Sequence, residues 1–218
     1  MQVIDLGGEI YDGQKSHFRV TVNEFASYED TAIFVRPPAR GFSTRLIQMC
    51  DHTATHVDAP VHFIPGAATI DSLPVDAFCG PAVCVDLSRG ADNARPAGIP
   101  DFEQALRRAL LDLRDGDIVL VRLGDSGGYS GLGGPLAEYF ATKRVKSVGV
   151  DRATPDSPDD RSMPVHMHLL TAGITIIEGL CHLDRVTGRR FVYIGPPLKV
   201  VGATGSPIRP VALLDLPR

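Results

Sequence analysis

The chain has 218 residues, 44% hydrophobic and 22% charged, and a formal net charge of −4 at pH 7. That is enough chain for one sizeable core or at most two small domains, with an ordinary soluble composition. The slight acidity and the lack of any lysine- or arginine-rich run argue against a general nucleic-acid binder. The opening MQVIDLGGEIYDG lacks the basic-then-apolar pattern of a secretory signal, and no apolar stretch approaches the roughly 20 residues that span a bilayer. Cys50, Cys79, Cys84 and Cys181 form no CxxC pair, and three of them lie in apolar runs. They read as buried free thiols in a reducing compartment, so a soluble, cytoplasmic protein is expected.

Glycine (22) and proline (17) predict many turns and few long helices. In chain order, strands are expected at residues 3–6, 32–35, 46–50, 82–87, 117–123, 147–150, 174–177, 191–194 and 198–201. A helix is expected at 101–113, where Phe102, Leu106, Ala109, Leu110 and Leu113 share a face. Asp101 with Gln104 resembles a capping box there, and Gly116 follows the end. A second helix is expected at 135–144, with Pro135 in its first turn, and a shorter one at about 165–172. Many strands with two or three helices in the second half predict one mixed α/β or α+β domain over residues 1–218 with much antiparallel sheet. The polar stretch 151–162 reads as a loop inside that domain.

The segment HTATHVDAPVHF places His52, His56, Asp58 and His62 within eleven positions. Pro60 and the β-branched Thr53, Thr55 and Val57 argue against a helix. In an extended chain these four even-numbered residues point the same way and present nitrogen and oxygen ligands to one point. Imidazole and carboxylate suit zinc, manganese or iron, and a carboxylate has two oxygens with which to bridge two metals. The bland alternative is a chance cluster, which sits poorly with only seven histidines in the chain. A second segment, HMHLLTAGITIIE, holds His166, His168 and Glu178. Glu178 ends an apolar strand, where a carboxylate costs free energy unless it is paired or bound to metal. Taken alone it could equally be a satisfied, partly exposed glutamate. Beside the first segment, His166 and Glu178 are ligands that a second metal needs. On a helix His168 points away from His166 and reads as structural.

Both segments closely resemble the cyclase-like metal hydrolases, the family of bacterial kynurenine formamidase and isatin hydrolase. The family pattern H-T-G-T-H-x-D-x-P-x-H-[FY] stands here with Ala54 in place of glycine, and H-x-x-L-L-x-x-G-I-x-x-x-E-x-L runs from His166 to Leu180. The flanks Ile4-Asp5-Leu6, Phe78–Val83 with Val85-Asp86-Leu87, and Val148–Asp151 are similar to the family's as well. The resemblance implies a swivelling β/β/α-type single domain whose sheet is mixed and largely antiparallel, with a few helices. It implies two zinc or manganese ions per subunit, one held by His52, His56, Asp58 and Glu178, the other by Asp58, His166 and Glu178. His62 is implied as proton donor and acceptor, and a homodimer or larger assembly is implied too.

The reaction so implied is hydrolysis of an amide or cyclic amide, an arylformamide or lactam-like small molecule. A cyclase or dehydratase acting on a polyketide-like substrate with the same site, or a metal-stabilised binding protein without turnover, are the alternatives. The last is disfavoured because structural zinc sites favour cysteine and fill every position with protein. His17 and Phe18 fall where the kynurenine formamidases carry a substrate-contacting tryptophan, and this chain has no tryptophan. The GDSGG run at 124–128 matches a trypsin-like nucleophile signature but lacks that scaffold's partner segments, so it reads as a glycine-rich turn. In the family that loop borders the active site, which makes Asp125 or Ser126 a candidate substrate contact, and Asp151, which ends its strand, is a candidate for a supporting or substrate role. Asp51 reads as structural.

Overall fold

The computed structural model describes residues 1–15, 18–88, 95–124 and 129–215. Among these, the strands are β1 (Gln2–Asp5), β2 (Thr21–Ala26), β3 (Thr44–Gln48), β4 (His56–Asp58), β5 (Cys79–Asp86), β6 (Ile118–Arg122), β7 (Ser147–Val150), β8 (Thr175–Glu178), β9 (Arg189–Ile194), β10 (Gly205–Pro207) and β11 (Val211–Leu214). The helices are α1 (Tyr28–Thr31), α2 (Ile99–Ala109), α3 (Gly134–Thr142) and α4 (Pro164–Thr171). Nine strands form one curled mixed sheet in the order β1-β11-β9-β5-β6-β7-β8-β4-β10, while β2 and β3 pair only with each other.

The near-continuous apolar runs of β5, β6 and β7 explain the middle of the sheet. These strands and β8 are parallel neighbours, and parallel strands bury both faces. On one face Val83, Val85, Val119, Val121, Val148, Val150 and Ile176 meet Phe102, Leu136, Phe140 and Leu169 of the helices. On the other, Ala82, Cys84, Ile118, Leu120 and Ile177 meet Ile4, Leu6, Phe191 and Tyr193. Antiparallel strands flank this block on both sides, so antiparallel pairings predominate as the sequence suggests. No helix among the described residues is long and apolar enough to cross a membrane.

Several expected elements are shifted. Residues 32–35 are not a strand. Ser27 and Asp30 form a capping box that starts α1, and the chain winds on into a 3₁₀ turn at Ala32–Phe34. Residues 198–201 form no strand either, because the Leu198 amide donates to Ser206 Oγ at 3.0 Å and folds this stretch back as a loop. In α2, Asp101 is the third helical residue of the box and accepts from the Gly98 amide at 2.8 Å. The helix starts at Ile99 and stops before Leu110, whose left-handed φ of 55° ends it short of residue 113. All four cysteines are free, but only Cys84 is buried, and burial pushes its thiol up to about 12.

Phe140 is fully buried and meets Phe102 edge-to-face at 4.9 Å between ring centroids. Phe140→Ala is expected to destabilise the fold by about 3–5 kcal/mol, read from the denaturant midpoint. A loss under about 1 kcal/mol would show that this helix–sheet core is not cooperative with the rest.

Candidate metal centre

Strand β4 is three residues long, and its register builds the site. His56 and Asp58 are two apart and share a face. Antiparallel pairing with β8 sets His56 opposite Glu178, and pairing with β10 sets Asp58 opposite Gly205. The extended conformation expected over 52–62 holds only for β4. His52 lies in a bend, Ala54 takes a left-handed φ of 54°, and Pro60–His62 is a 3₁₀ turn. The side chains converge through these bends rather than by parity along one strand.

Two glycines make room for the convergence. A Cβ on Gly205 would stand 2.7 Å from His52 Cε1, and one on Gly179 would stand 2.8 Å from the Ala54 carbonyl oxygen. Gly179 also has φ +67, the left-handed region open to glycine at little cost. The Thr55 hydroxyl donates to the Gly179 carbonyl at 2.5 Å, tying the bend to the end of β8.

His56 is oriented by its own backbone, with Nδ1 3.0 Å from the Ala54 carbonyl. Its Nε2 then faces Asp58 Oδ1 at 3.4 Å and Glu178 Oε2 at 3.3 Å. His166, in the first turn of α4, is oriented by Asp156. That buried carboxylate accepts from the Val165 amide at 2.7 Å and the His166 amide at 3.2 Å, and lies 2.6 Å from His166 Nδ1. His166 Nε2 thereby faces Asp58 Oδ2 at 3.6 Å and Glu178 Oε1 at 3.3 Å. His52 sits with Nδ1 2.7 Å from Asp58 Oδ1 and Nε2 2.8 Å from Thr204 Oγ1, and Thr204 donates in turn to Asp51 at 2.8 Å. Asp51 is thus a support beneath His52.

The donor set fits a divalent cation. Asp58 Oδ2 and Glu178 Oε1 are buried with no hydrogen-bond partner among the described residues, although each faces an imidazole nitrogen. Leaving such oxygens unmatched costs several kcal/mol unless a positive charge compensates them. His52, His56 and Asp58 bring one donor atom each within 4.8 Å of one another, and so do Asp58, His62 and His166. Asp58 belongs to both groups, and Glu178 touches both His56 and His166.

Protons occupy this position in the metal-free protein. Burial disfavours charge on His56 and His166, but the carboxylates around them outweigh it, raising His56 to about 10 and His166 to about 11. Burial pushes the Asp58 carboxyl up, and contacts with His166, His52 and His56 override this and hold it well below the usual carboxylate range. His62 moves the other way. It is half-buried and its pKa is lowered, chiefly by burial. Its ring stacks on His52 at 3.9 Å between centroids and meets Phe63 edge-on.

The cluster forms the floor of a cleft of about 1150 Å³ whose walls include Lys15, Phe18, Phe63, Arg152 and Met163. Phe18 lines the cleft, while His17, Asp125 and Ser126 lie outside the described residues. Asp151 lines the cleft and accepts from the Leu123 and Gly124 amides at 2.7 and 3.0 Å. His168 is exposed, away from the cluster. Two supporting residues escape sequence reasoning. Asp156 sits in a polar loop ten positions before His166, and Thr204 is a lone threonine far along the chain, so neither carries a local signal.

A curled mixed sheet with buried imidazoles and carboxylates at the base of a cleft defines an enzyme of the metal-dependent hydrolase class. The chain belongs to the putative cyclase family, whose model matches residues 4–157. It is 34% identical over 180 residues to a kynurenine formamidase of Salinibacter ruber, covering 78% of this chain and 79% of that one. A solved structure described as a potential metal-dependent hydrolase with cyclase activity is 27% identical, with a TM-score of 0.75 over 99% of each chain. Isatin hydrolase A from Labrenzia aggregata shares the fold, with a TM-score of 0.81 at 22% identity over 97% of this chain and 93% of that one.

Since His56 and His166 stay protonated to about 10 and 11 without metal, cation uptake at neutral pH must expel protons, and affinity should rise with pH. Calorimetry in buffers of different ionisation enthalpy reads this release directly, and uptake without it would contradict the assignment of these imidazoles as ligands. Asp156→Asn keeps one acceptor for the first-turn amides of α4 but removes the negative charge on His166 Nδ1. It is expected to weaken metal binding about 10- to 100-fold in chelator competition and, by breaking a buried ion pair, to cost about 3–5 kcal/mol of metal-free stability.

Proposed function

We propose that the protein hydrolyses a small non-peptide amide, an arylformamide or a lactam-like cyclic amide, at a centre of two zinc or manganese ions. His52, His56, Asp58, His166 and Glu178 would hold the ions, and Asp58 and Glu178 each face both His56 and His166. The observation that carries this reading is the pair of buried, unmatched carboxylate oxygens facing His166 Nε2. Bound divalent ions supply a water of lowered pKa and an electrophile that polarises the carbonyl.

The chain's own residues do the rest. His62 stands beside the cluster, and its lowered pKa keeps the imidazole neutral and ready to accept a proton at pH 7. It takes the proton from the attacking water as the C–O bond forms, then delivers it to the nitrogen as the C–N bond breaks. An open arylformamide yields formic acid and an amine, and a cyclic amide yields one ring-opened molecule carrying both groups, without a covalent enzyme intermediate. Phe63, stacked on His166 at 4.5 Å, and Phe18 give the cleft apolar surface against which an aromatic substrate packs. His17, adjacent to Phe18 in sequence, belongs to the same proposed substrate contact. The name of the Salinibacter ruber relative favours the arylformamide, and that of the Labrenzia aggregata neighbour favours the cyclic amide.

Purified protein should hold about two equivalents of zinc or manganese by plasma mass spectrometry, and Asp58→Ala should lose most of both. His62→Ala should keep the metal and lose about 100-fold or more in kcat on formanilide-type or isatin-type substrates. Loss of metal in His62→Ala would instead make it a ligand, which its place in the second donor group permits. Wild-type protein that binds metal but turns over neither substrate type would favour a cyclase or dehydratase, or a binding protein.

A further inference from the structure

The three histidines among the ligand candidates are not turned alike. His56 Nδ1 lies 3.0 Å from the Ala54 carbonyl and His166 Nδ1 lies 2.6 Å from Asp156, so both rings present Nε2 to the buried carboxylates. His52 is reversed. Its Nε2 lies 2.8 Å from Thr204 Oγ1, and its Nδ1 lies 2.7 Å from Asp58 Oδ1.

The hydrogen bonds around Thr204 decide which nitrogen of His52 carries hydrogen. A threonine hydroxyl has one hydrogen to give, and an ionised carboxylate only accepts. Thr204 Oγ1 stands 2.8 Å from Asp51 Oδ2, and the Thr204 amide donates to the same oxygen at 3.1 Å. Were the hydroxyl turned toward His52, lone pairs of two oxygens would face each other at 2.8 Å. The hydroxyl hydrogen therefore goes to Asp51, and Thr204 Oγ1 accepts from His52 Nε2–H. With hydrogen on Nε2, the lone pair of the neutral ring lies on Nδ1, beside Asp58.

Thr204 is held by its backbone rather than by the ring it serves. Its carbonyl accepts from the Ala59 amide at 2.9 Å. Just before it, the Ala203 carbonyl accepts from the Ile70 amide at 3.1 Å and the Gly202 amide donates to Asp71 at 2.9 Å. Gly205 follows, and a Cβ there would stand 3.0 Å from His52 Nε2. The His52 ring thus lies directly on the chain at 204–205, with His62 stacked on it at 3.9 Å between centroids.

We propose that Thr204, with Asp51 behind it, is a positioning residue that fixes the Nε2–H tautomer of His52 and so makes Nδ1 its metal-binding atom. This assignment rests on the metal centre proposed above. His52 then offers a different atom from His56 and His166, because its anchoring group meets Nε2 rather than Nδ1. A partner on the outer nitrogen of a ligand imidazole sets its tautomer and orientation, and loss of such a partner typically weakens metal binding about 10- to 100-fold.

The bonded nitrogen can be read directly. A spin-active cadmium isotope, loaded into full-length protein carrying nitrogen-labelled histidine, shows by scalar coupling in NMR which ring atom each ligand uses. Coupling through Nδ1 is expected for His52, and through Nε2 for His56 and His166. Thr204→Val keeps the side chain's shape and every backbone bond but removes the acceptor. It is expected to weaken zinc binding about 10- to 100-fold in chelator competition, and Thr204→Ser to restore affinity to within about threefold of wild type. Should Thr204→Val misfold by far-UV dichroism, the coupling pattern of the wild type still decides. Coupling of His52 through Nε2, no coupling from His52, zinc affinity unchanged in Thr204→Val, or equal losses in the valine and serine variants would overturn the role of Thr204 and leave the metal centre standing. Wild-type protein that takes up neither zinc nor cadmium would overturn the centre itself, and this assignment with it.

Discussion

Two buried carboxylates govern this structure. Asp58 is fully buried and Glu178 is 6% exposed, and each presents an oxygen with no hydrogen-bond partner among the described residues. Charges so placed cost several kcal/mol each, and they persist only where matching positive charge is held close. Here the match comes from imidazoles turned inward by other groups, His56 by a backbone carbonyl and His166 by Asp156. Every unusual local feature nearby serves that arrangement. The bend before β4, the left-handed Ala54 and the side-chain-free Gly205 all exist where the rings need space.

The sheet supplies the rigidity that such an arrangement needs. The parallel block of β5 to β8 is packed on both faces, and β8 carries Glu178 from its edge. Cross-strand register fixes His56 against Glu178 with no loop in between. His62, by contrast, sits on a short turn beside the cluster, half-buried and stacked on His52. Among the ligand candidates, His56, Asp58 and Glu178 therefore sit on strands and His166 on the first turn of a helix, while His52 and His62 sit on the bends that flank β4.

Much of this was legible in the sequence, and the reasons are specific. His52, His56, Asp58 and His62 stand in one short window, so their chemistry announces itself whatever the backbone does. The apolar runs at 82–87 and 147–150 are long or β-branched enough to be strands on their own account. The prediction of an extended 52–62 reached the right convergence by a wrong path, since Ala54 bends the chain where the family pattern has glycine. Residues 32–35 look like a strand by composition, but a cap five positions earlier decides them. Strands β4 and β10 are three residues each and exist only because they pair with each other and β8. Asp156 and Thr204 act through distance in space rather than in sequence, which a single chain does not encode locally.

The pairing of β4 has a consequence for how the molecule comes into being. In the strand register His56 stands opposite Glu178 on one side and Pro207 on the other. These are among the longest sequence separations in the sheet, and contacts of that kind close late because loop entropy must be overcome first. A chain emerging from the ribosome carries the histidine motif early but must wait for nearly its last residues before β4 has both neighbours. Until then the imidazoles and carboxylates are donors on separate segments, and the centre assembles only once β4, β8 and β10 have met.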